Sequence, residues 1–230
     1  MSDLTVAVFG GVYNNHLSLT AVLDDAAASG ATAAYCLGDM GGFGPSPDRV
    51  FPILRNRGVV CMMGNYDHSI GNNLQDCGCG YTDPRDNHFA QISYDYTLRN
   101  TAAEHQAWLR ELPTELRFDW GGQRVLMAHG SPRRTNEFLW RSTSPDRFLQ
   151  LLLRDNNADL LFVTHTGIPW QRRLPGGQLV VNVGAIGRPA NDGDTRVVYA
   201  LVRVRGGEIT AEFRKVGYNH QALAAEMRAE

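Results

Sequence analysis

Short apolar runs recur along the chain, and most give way to glycine or to a polar residue. LTVAVF (4–9) is a compact β-branched run that stops at Gly10-Gly11 and predicts a buried strand. Residues 17–28 place Leu17, Val22, Leu23 and several alanines as a helix would, with Gly30 as the stop. AAYCLG (33–38) reads as a second strand, 47–55 as a short helix and VVCMMG (59–64) as a third strand. This β-α-β-α-β opening is that of a sheet covered by helices. Residues 71–88, rich in Gly, Asn, Asp and Cys, read as a long loop, a kind of segment that is often functional in a compact domain. Helices follow near 86–98 and 102–112, where Pro113 ends the pattern. RVLMAH (124–129) and LLFVTH (160–165) are strands on either side of a helix at 145–154. Strands near 179–183, 196–205 and 208–215 come next, the last two joined by a tight turn at Gly206-Gly207, and a helix at 219–228 ends the chain. The C-terminal strands read as an antiparallel meander, which predicts a second sheet.

No linker, repeat or low-complexity stretch divides the chain, so residues 1–230 are expected to form one domain. The balance of 43% apolar and 20% charged residues is that of a globular protein. A net charge of −2 offers no broad basic field for a nucleic-acid backbone. The first residues read as a strand and not as a signal peptide, and no run reaches the length of a membrane span. A cytoplasmic protein with no membrane partner is therefore expected. Four cysteines do not make a disulfide scaffold; Cys36 and Cys61 sit in apolar runs and read as core.

The chemistry lies where the strands end. The second is followed by Asp39, the third by Gly64-Asn65-Tyr66-Asp67-His68, and later ones end in His129-Gly130 and Thr164-His165-Thr166. In α/β sheets the ligand crevice lies outside the carboxyl ends of the strands. Asp39, Asn65, His129 and His165 are thus expected to converge. One carboxylate, one amide oxygen and two imidazoles form a mixed O/N set suited to Mn, Fe, Zn or Ni.

GDMGGFGPSPDRV (38–50), GNYDH (64–68), HGSP (129–132), THTGIP (164–169) and NVGAIGRP (182–189) together resemble, in order, the motifs of calcineurin-like metallophosphoesterases. The resemblance runs from about residue 4 to 215. It implies a four-layer αββα sandwich: an α/β (α+β) fold of two mixed β-sheets packed face to face and flanked by helices. In that family two metals sit side by side. Asp39 corresponds to the carboxylate that bridges them, and Asn65, His129 and His165 to the remaining protein ligands of the second metal.

The departures are sorted. Where the family has D-x-H-G-N after its first strand, this chain has Gly11-Val12-Tyr13-Asn14-Asn15, and Gly167 replaces the last His of GHTH. All three losses fall on ligands private to the first metal. Three readings follow. One is a phosphoesterase with a single metal, in which Asn15 and arginines beside the motifs (Arg133, Arg134, Arg188) meet the phosphate. Another is a rebuilt first site drawing on Tyr13, His16, Cys77 and Cys79, which would restore two metals per chain. The third is a non-catalytic module that binds a phosphate compound or nucleotide, descended from a phosphoesterase.

Within GNYDH the family often carries a His that protonates the leaving group; that position is Tyr66 here, and His68 lies two residues on. Tyr66 and His68 are therefore the acid–base candidates, while Asp67 reads as a residue that orients the loop. The reading of the chain is a metal-dependent hydrolase of a small phosphomonoester or phosphodiester, one divalent transition metal per chain being preferred to two. A nucleotide-like substrate would draw on Tyr13, Tyr66 and Trp140 for stacking.

Overall fold

The computed structural model describes residues 3–230. Strand β1 (Leu4–Phe9) alternates its side chains between two apolar environments. Val6 and Val8 face one buried cluster, Ala7 and Phe9 another. A strand buried on both faces must be the middle of a layered structure. It pairs parallel to β2 (Ala33–Cys36), which pairs parallel to β3 (Val60–Cys61). On its other edge it runs antiparallel to β9 (Val197–Arg205), which continues into β10 (Glu208–Val216). The sheet order is β10-β9-β1-β2-β3. The β9–β10 turn places Gly206 at φ 56° and Gly207 at φ 86°, the left-handed pair that a two-residue hairpin of matching twist requires.

The second sheet has the order β4-β5-β6-β8-β7, built from β4 (Glu115–Trp120), β5 (Gln123–Ala128), β6 (Leu160–Val163), β7 (Trp170–Arg173) and β8 (Leu179–Asn182). Strands β5, β6 and β8 are parallel; β4 and β7 close the edges antiparallel. Both sheets are mixed, and their inner faces meet. Val6, Val8 and Val202 of the first sheet share a cluster with Met127, Phe162 and Val181 of the second.

Helices cover the outer faces. Helix α1 (His16–Ala28) starts where the Asn15 side chain accepts the Ser18 N–H at 3.0 Å, and it buries Leu19, Val22, Leu23 and Ala26 at three- and four-residue spacing against β1. Helices α2 (Val50–Asn56), α3 (Asn65–Gly71), α4 (Pro84–Arg99) and α5 (Ala103–Arg110) add to the same cluster, α3 through Tyr66 and Ile70. Helix α6 (Asp146–Asp155) packs Leu149, Leu152 and Leu153 on the outer face of the second sheet. Helix α7 (His220–Ala229) ends the chain. This is the expected four-layer arrangement. No helix of the described residues is long and apolar enough to cross a membrane.

Two expectations change. The C-terminal hairpin does not found the second sheet; it widens the first, beside β1, and the second is assembled from residues 115–182. Strands β2 and β3 are also shorter than their apolar runs. The chain turns at Gly38 (φ 92°) and Asp39 (φ 57°) after one, and enters α3 after the other. Phe162 is wholly buried between the sheets. Its truncation to Ala is expected to cost about 3–5 kcal/mol, read as a lower urea midpoint at unchanged m-value.

Candidate metal centre

The carboxyl ends of the central strands from both sheets open on one place. Asp39 lies three residues past β2, Asn65 is the first residue of α3 after β3, His129 follows β5 directly, and His165 lies two past β6. Asp39 and His165 both take positive φ, 57° and 65°. Few side chains adopt that backbone, though Asp and His do so more readily than most.

Asp67 holds the turns in place. Its carboxylate accepts the N–H groups of Asp39 at 2.7 Å, Met40 at 2.9 Å and Gly64 at 2.8 Å, tying the β2 and β3 loops together. It is the loop-orienting residue that its place in the motif suggests. Burial and the nearby Asp39 charge push its acid up to about 6, while the three N–H groups it accepts favour the anion. Gly64 completes the cradle. A Cβ there would lie 2.4 Å from Asp39 Oδ1 and 2.9 Å from His129 Cε1.

Asp39, His129 and His165 are all buried, and one ligand atom from each lies within 4.8 Å of the others. Among the described residues no other trio of His, Cys, Asp or Glu is so gathered. His129 Nδ1 donates to the Leu37 carbonyl at 2.6 Å, which fixes the ring. Its Nε2 stands 3.3 Å from Asp39 Oδ2 and 3.2 Å from His165 Nδ1. Asn65 donates its Nδ2 to the Cys77 carbonyl at 2.9 Å, and its buried Oδ1 has no partner. His165 Nε2 is likewise buried without a partner. The Cys79 and Asn136 backbone lies against the His165 ring, so the clear unpaired acceptor is Asn65 Oδ1, and a cation bonded to it removes the cost of its burial. The donor set therefore fits a divalent metal, held by Asp39, His129 and His165 with Asn65 beside them.

The protonation states agree with that use. Burial disfavours the Asp39 anion, but His129, His165 and the Tyr66 N–H outweigh it and hold the acid below its usual range. Burial also opposes charge on His129, yet Asp39 and the Leu37 carbonyl raise it above its usual value. Burial and the neighbouring His129 push His165 down to about 4, so it is neutral and able to ligate.

The other candidates are placed differently. Tyr13 is buried, at φ 50°, with its ring edge-on to Phe43 at 4.9 Å. Burial, reinforced by Asp39, pushes its phenol far above the usual range in the metal-free protein. His16 stands 3.6 Å from Glu226 of α7 and does not join Tyr13. Cys77 and Cys79 are bonded to each other, in the loop that receives Asn65. His16 is thus turned toward α7, and the two cysteines toward each other beside Asn65, whose Nδ2 lies 3.5 Å from Cys79 Sγ. Asn15 caps α1 and donates its Nδ2 to the Gly187 carbonyl at 3.0 Å. Arg133 lies over Phe148 and 3.6 Å from Glu137. Tyr66 is buried among Phe43 and Tyr94, while His68 is exposed and lines a cleft of about 430 Å³ that also reaches Asn65. Phe138, whose ring lies 4.2 Å from that of His165, carries no sequence signal that sets it apart from core aromatics.

Residues 4–207 match the calcineurin-like phosphoesterase superfamily domain. An uncharacterized protein of Methanocaldococcus jannaschii is 25% identical over 210 residues, 85% of this chain and 81% of its own. The structure of a metallophosphoesterase from Sphaerobacter thermophilus superposes with a TM-score of 0.75 at 25% identity, covering 99% of this chain and 94% of that one. A hypothetical protein from Pyrococcus horikoshii shares the fold with a TM-score of 0.82 at 23% identity, covering 98% and 93%.

Two outcomes are expected. Metal must displace a proton from His129, so apparent Mn(II) affinity should rise with pH, by about tenfold per unit while His129 stays protonated. Calorimetry at pH 6.5, the ordinary histidine value, in buffers of different ionisation enthalpy should show net proton release on binding; no release contradicts this account. Gly64→Ala should weaken Mn(II) binding at least about tenfold, because its methyl group displaces Asp39; unchanged affinity would show that the cradle is looser than its contacts.

Proposed function

The chain belongs to the calcineurin-like phosphoesterase superfamily, and on that premise we propose that it is a hydrolase of small phosphomonoesters or phosphodiesters that works with one divalent transition metal. The observation that carries this reading is the gathering of Asp39, His129 and His165 within 4.8 Å in the protein interior, beside the unpaired oxygen of Asn65. A carboxylate, an amide oxygen and two imidazoles suit Mn, Fe, Zn or Ni. Such an ion, when bound, would polarise a phosphoryl oxygen and help generate a nucleophile from water.

The chain's own residues do the rest. Asp39 and the two imidazoles hold the ion, and Asn65 supplies a neutral oxygen. Asp67 keeps the β2 and β3 loops from drifting apart. His68 is the proton donor of the reading, because it shares the Asn65 cleft and is open to solvent, whereas Tyr66 is enclosed by the core. Proton delivery matters in proportion to how poor the leaving group is.

The test is hydrolysis of p-nitrophenyl phosphate and bis(p-nitrophenyl) phosphate by Mn-loaded protein. Turnover is expected in the wild type and is expected to fall by about 100-fold or more in Asp39→Ala and His129→Ala. A metal-loaded wild type inert toward both esters would favour the non-catalytic binding module. His68→Ala should lose about tenfold more rate on an alkyl phosphate than on a nitrophenyl ester; equal losses would remove His68 as the acid.

A further inference from the structure

Gly11, Tyr13, Gly167 and Arg188 are far apart in sequence and meet beside the metal centre. Gly11 has φ 56°, and a Cβ there would lie 2.9 Å from Tyr13 Cζ. Gly167 has φ 71°, and a Cβ there would lie 3.1 Å from Arg188 Nη2. Each glycine thus leaves room that a larger neighbour uses: the Tyr13 ring in one case, the Arg188 guanidinium in the other. The guanidinium carbon stands 5.9 Å from the Tyr13 ring and 5.7 Å from the Phe43 ring. Tyr13 feels both the positive charge of Arg188 and the negative charge of Asp39.

The backbone that carries Arg188 is fixed. Ile186 N donates to Gly10 O at 3.0 Å, Gly187 N to Gly11 O at 2.7 Å, and Asn15 Nδ2 to Gly187 O at 3.0 Å. A side chain at position 187 would collide with the Val12 carbonyl at 2.3 Å. The β1–α1 loop and the segment after β8 are therefore one unit, and Arg188 leaves it at a set point. Arg124, Arg172, Arg196 and Arg214 each pair with an aspartate. Among the described residues Arg188 has no carboxylate within 4.0 Å, and it is exposed. An anchored, aromatic-backed guanidinium with no carboxylate partner is suited to a tetrahedral oxyanion.

We propose that Arg188 is the second cation of this site, gripping the substrate's phosphoryl oxygens while Asp39, His129 and His165 hold the metal. The proposal rests on the metal-dependent phosphoesterase reading and deepens it. Tyr13 braces the guanidinium, and Gly11 and Gly167 give it space. One metal and one fixed arginine then share the charge of the phosphoryl group, which accounts together for the residue types at 11, 13, 167 and 188.

The probe is tungstate, a stable tetrahedral oxyanion, titrated calorimetrically into Mn-loaded wild type, Arg188→Ala and Arg188→Lys, with metal counted by elemental analysis in each. All three are expected to hold about one metal. Tungstate affinity should fall about 10- to 100-fold in Arg188→Ala, the range of a lost charge-assisted pair, and Arg188→Lys should recover part of it. The lysine variant keeps the charge and the stem, so it reports on the fork even where the alanine variant folds poorly. Tungstate affinity within twofold of wild type in metal-loaded Arg188→Ala overturns the proposal alone. Two metals in the wild type overturn it as well. A wild type that takes up no metal overturns the reading beneath it.

Discussion

Asp39 is a carboxylate with 2% exposure, and an isolated anion in such a place would take a proton or not be buried. The rest of the site answers that constraint. His129 and His165 crowd it with imidazoles, the Tyr66 N–H donates to Oδ1 at 3.1 Å, and Gly64 lets all of this approach without a side chain of its own. Asp67 then spends a second buried carboxylate on three backbone N–H groups, so that the loops carrying Asp39 and Gly64 cannot separate. Two acids so close are tolerable only if positive charge is near. The metal-free protein supplies part of it through His129, and a divalent ion would supply more.

Fold and site are coupled through the sheets. Parallel strands β1, β2, β3 in one sheet and β5, β6, β8 in the other aim their carboxyl ends at the same region because the two inner faces pack together. The hydrophobic seam that includes Val8, Met127 and Phe162 thus sets the spacing between ligands drawn from different sheets. On the remaining side, the tie between Gly10-Gly11 and Ile186-Gly187 joins two loops with backbone hydrogen bonds, and the Arg188 guanidinium lies over the Tyr13 ring.

Much of this was legible in the sequence where apolar runs met abrupt polar ends. Asp39, Asn65, His129 and His165 each follow a strand, and that is a one-dimensional signal. Strands β4 and β7 were not legible, because Glu115, Arg117 and Asp119 in one and Gln171, Arg172 and Arg173 in the other are the polar residues expected at sheet edges, without an apolar run to announce them. Helix α3 was hidden for a different reason: its first turn is itself the motif, with Gly64 before it and Asp67 capping it. The relation of Gly11 and Gly167 to Tyr13 and Arg188 could not be read along the chain, since it consists of space left by one residue and filled by another. The spacing of Cys77 and Cys79 suggests metal ligands, whereas their bond to each other, in the loop that holds Asn65, is a contact that spacing alone does not announce.

The most direct test is anomalous diffraction from crystals grown with Mn(II). The account predicts a single strong peak within ligand distance of Asp39, His129 and His165, with Asn65 Oδ1 turned toward it, and no second peak between Tyr13 and Gly167. The absence of a peak at the three residues, or a pair of peaks side by side, would contradict it.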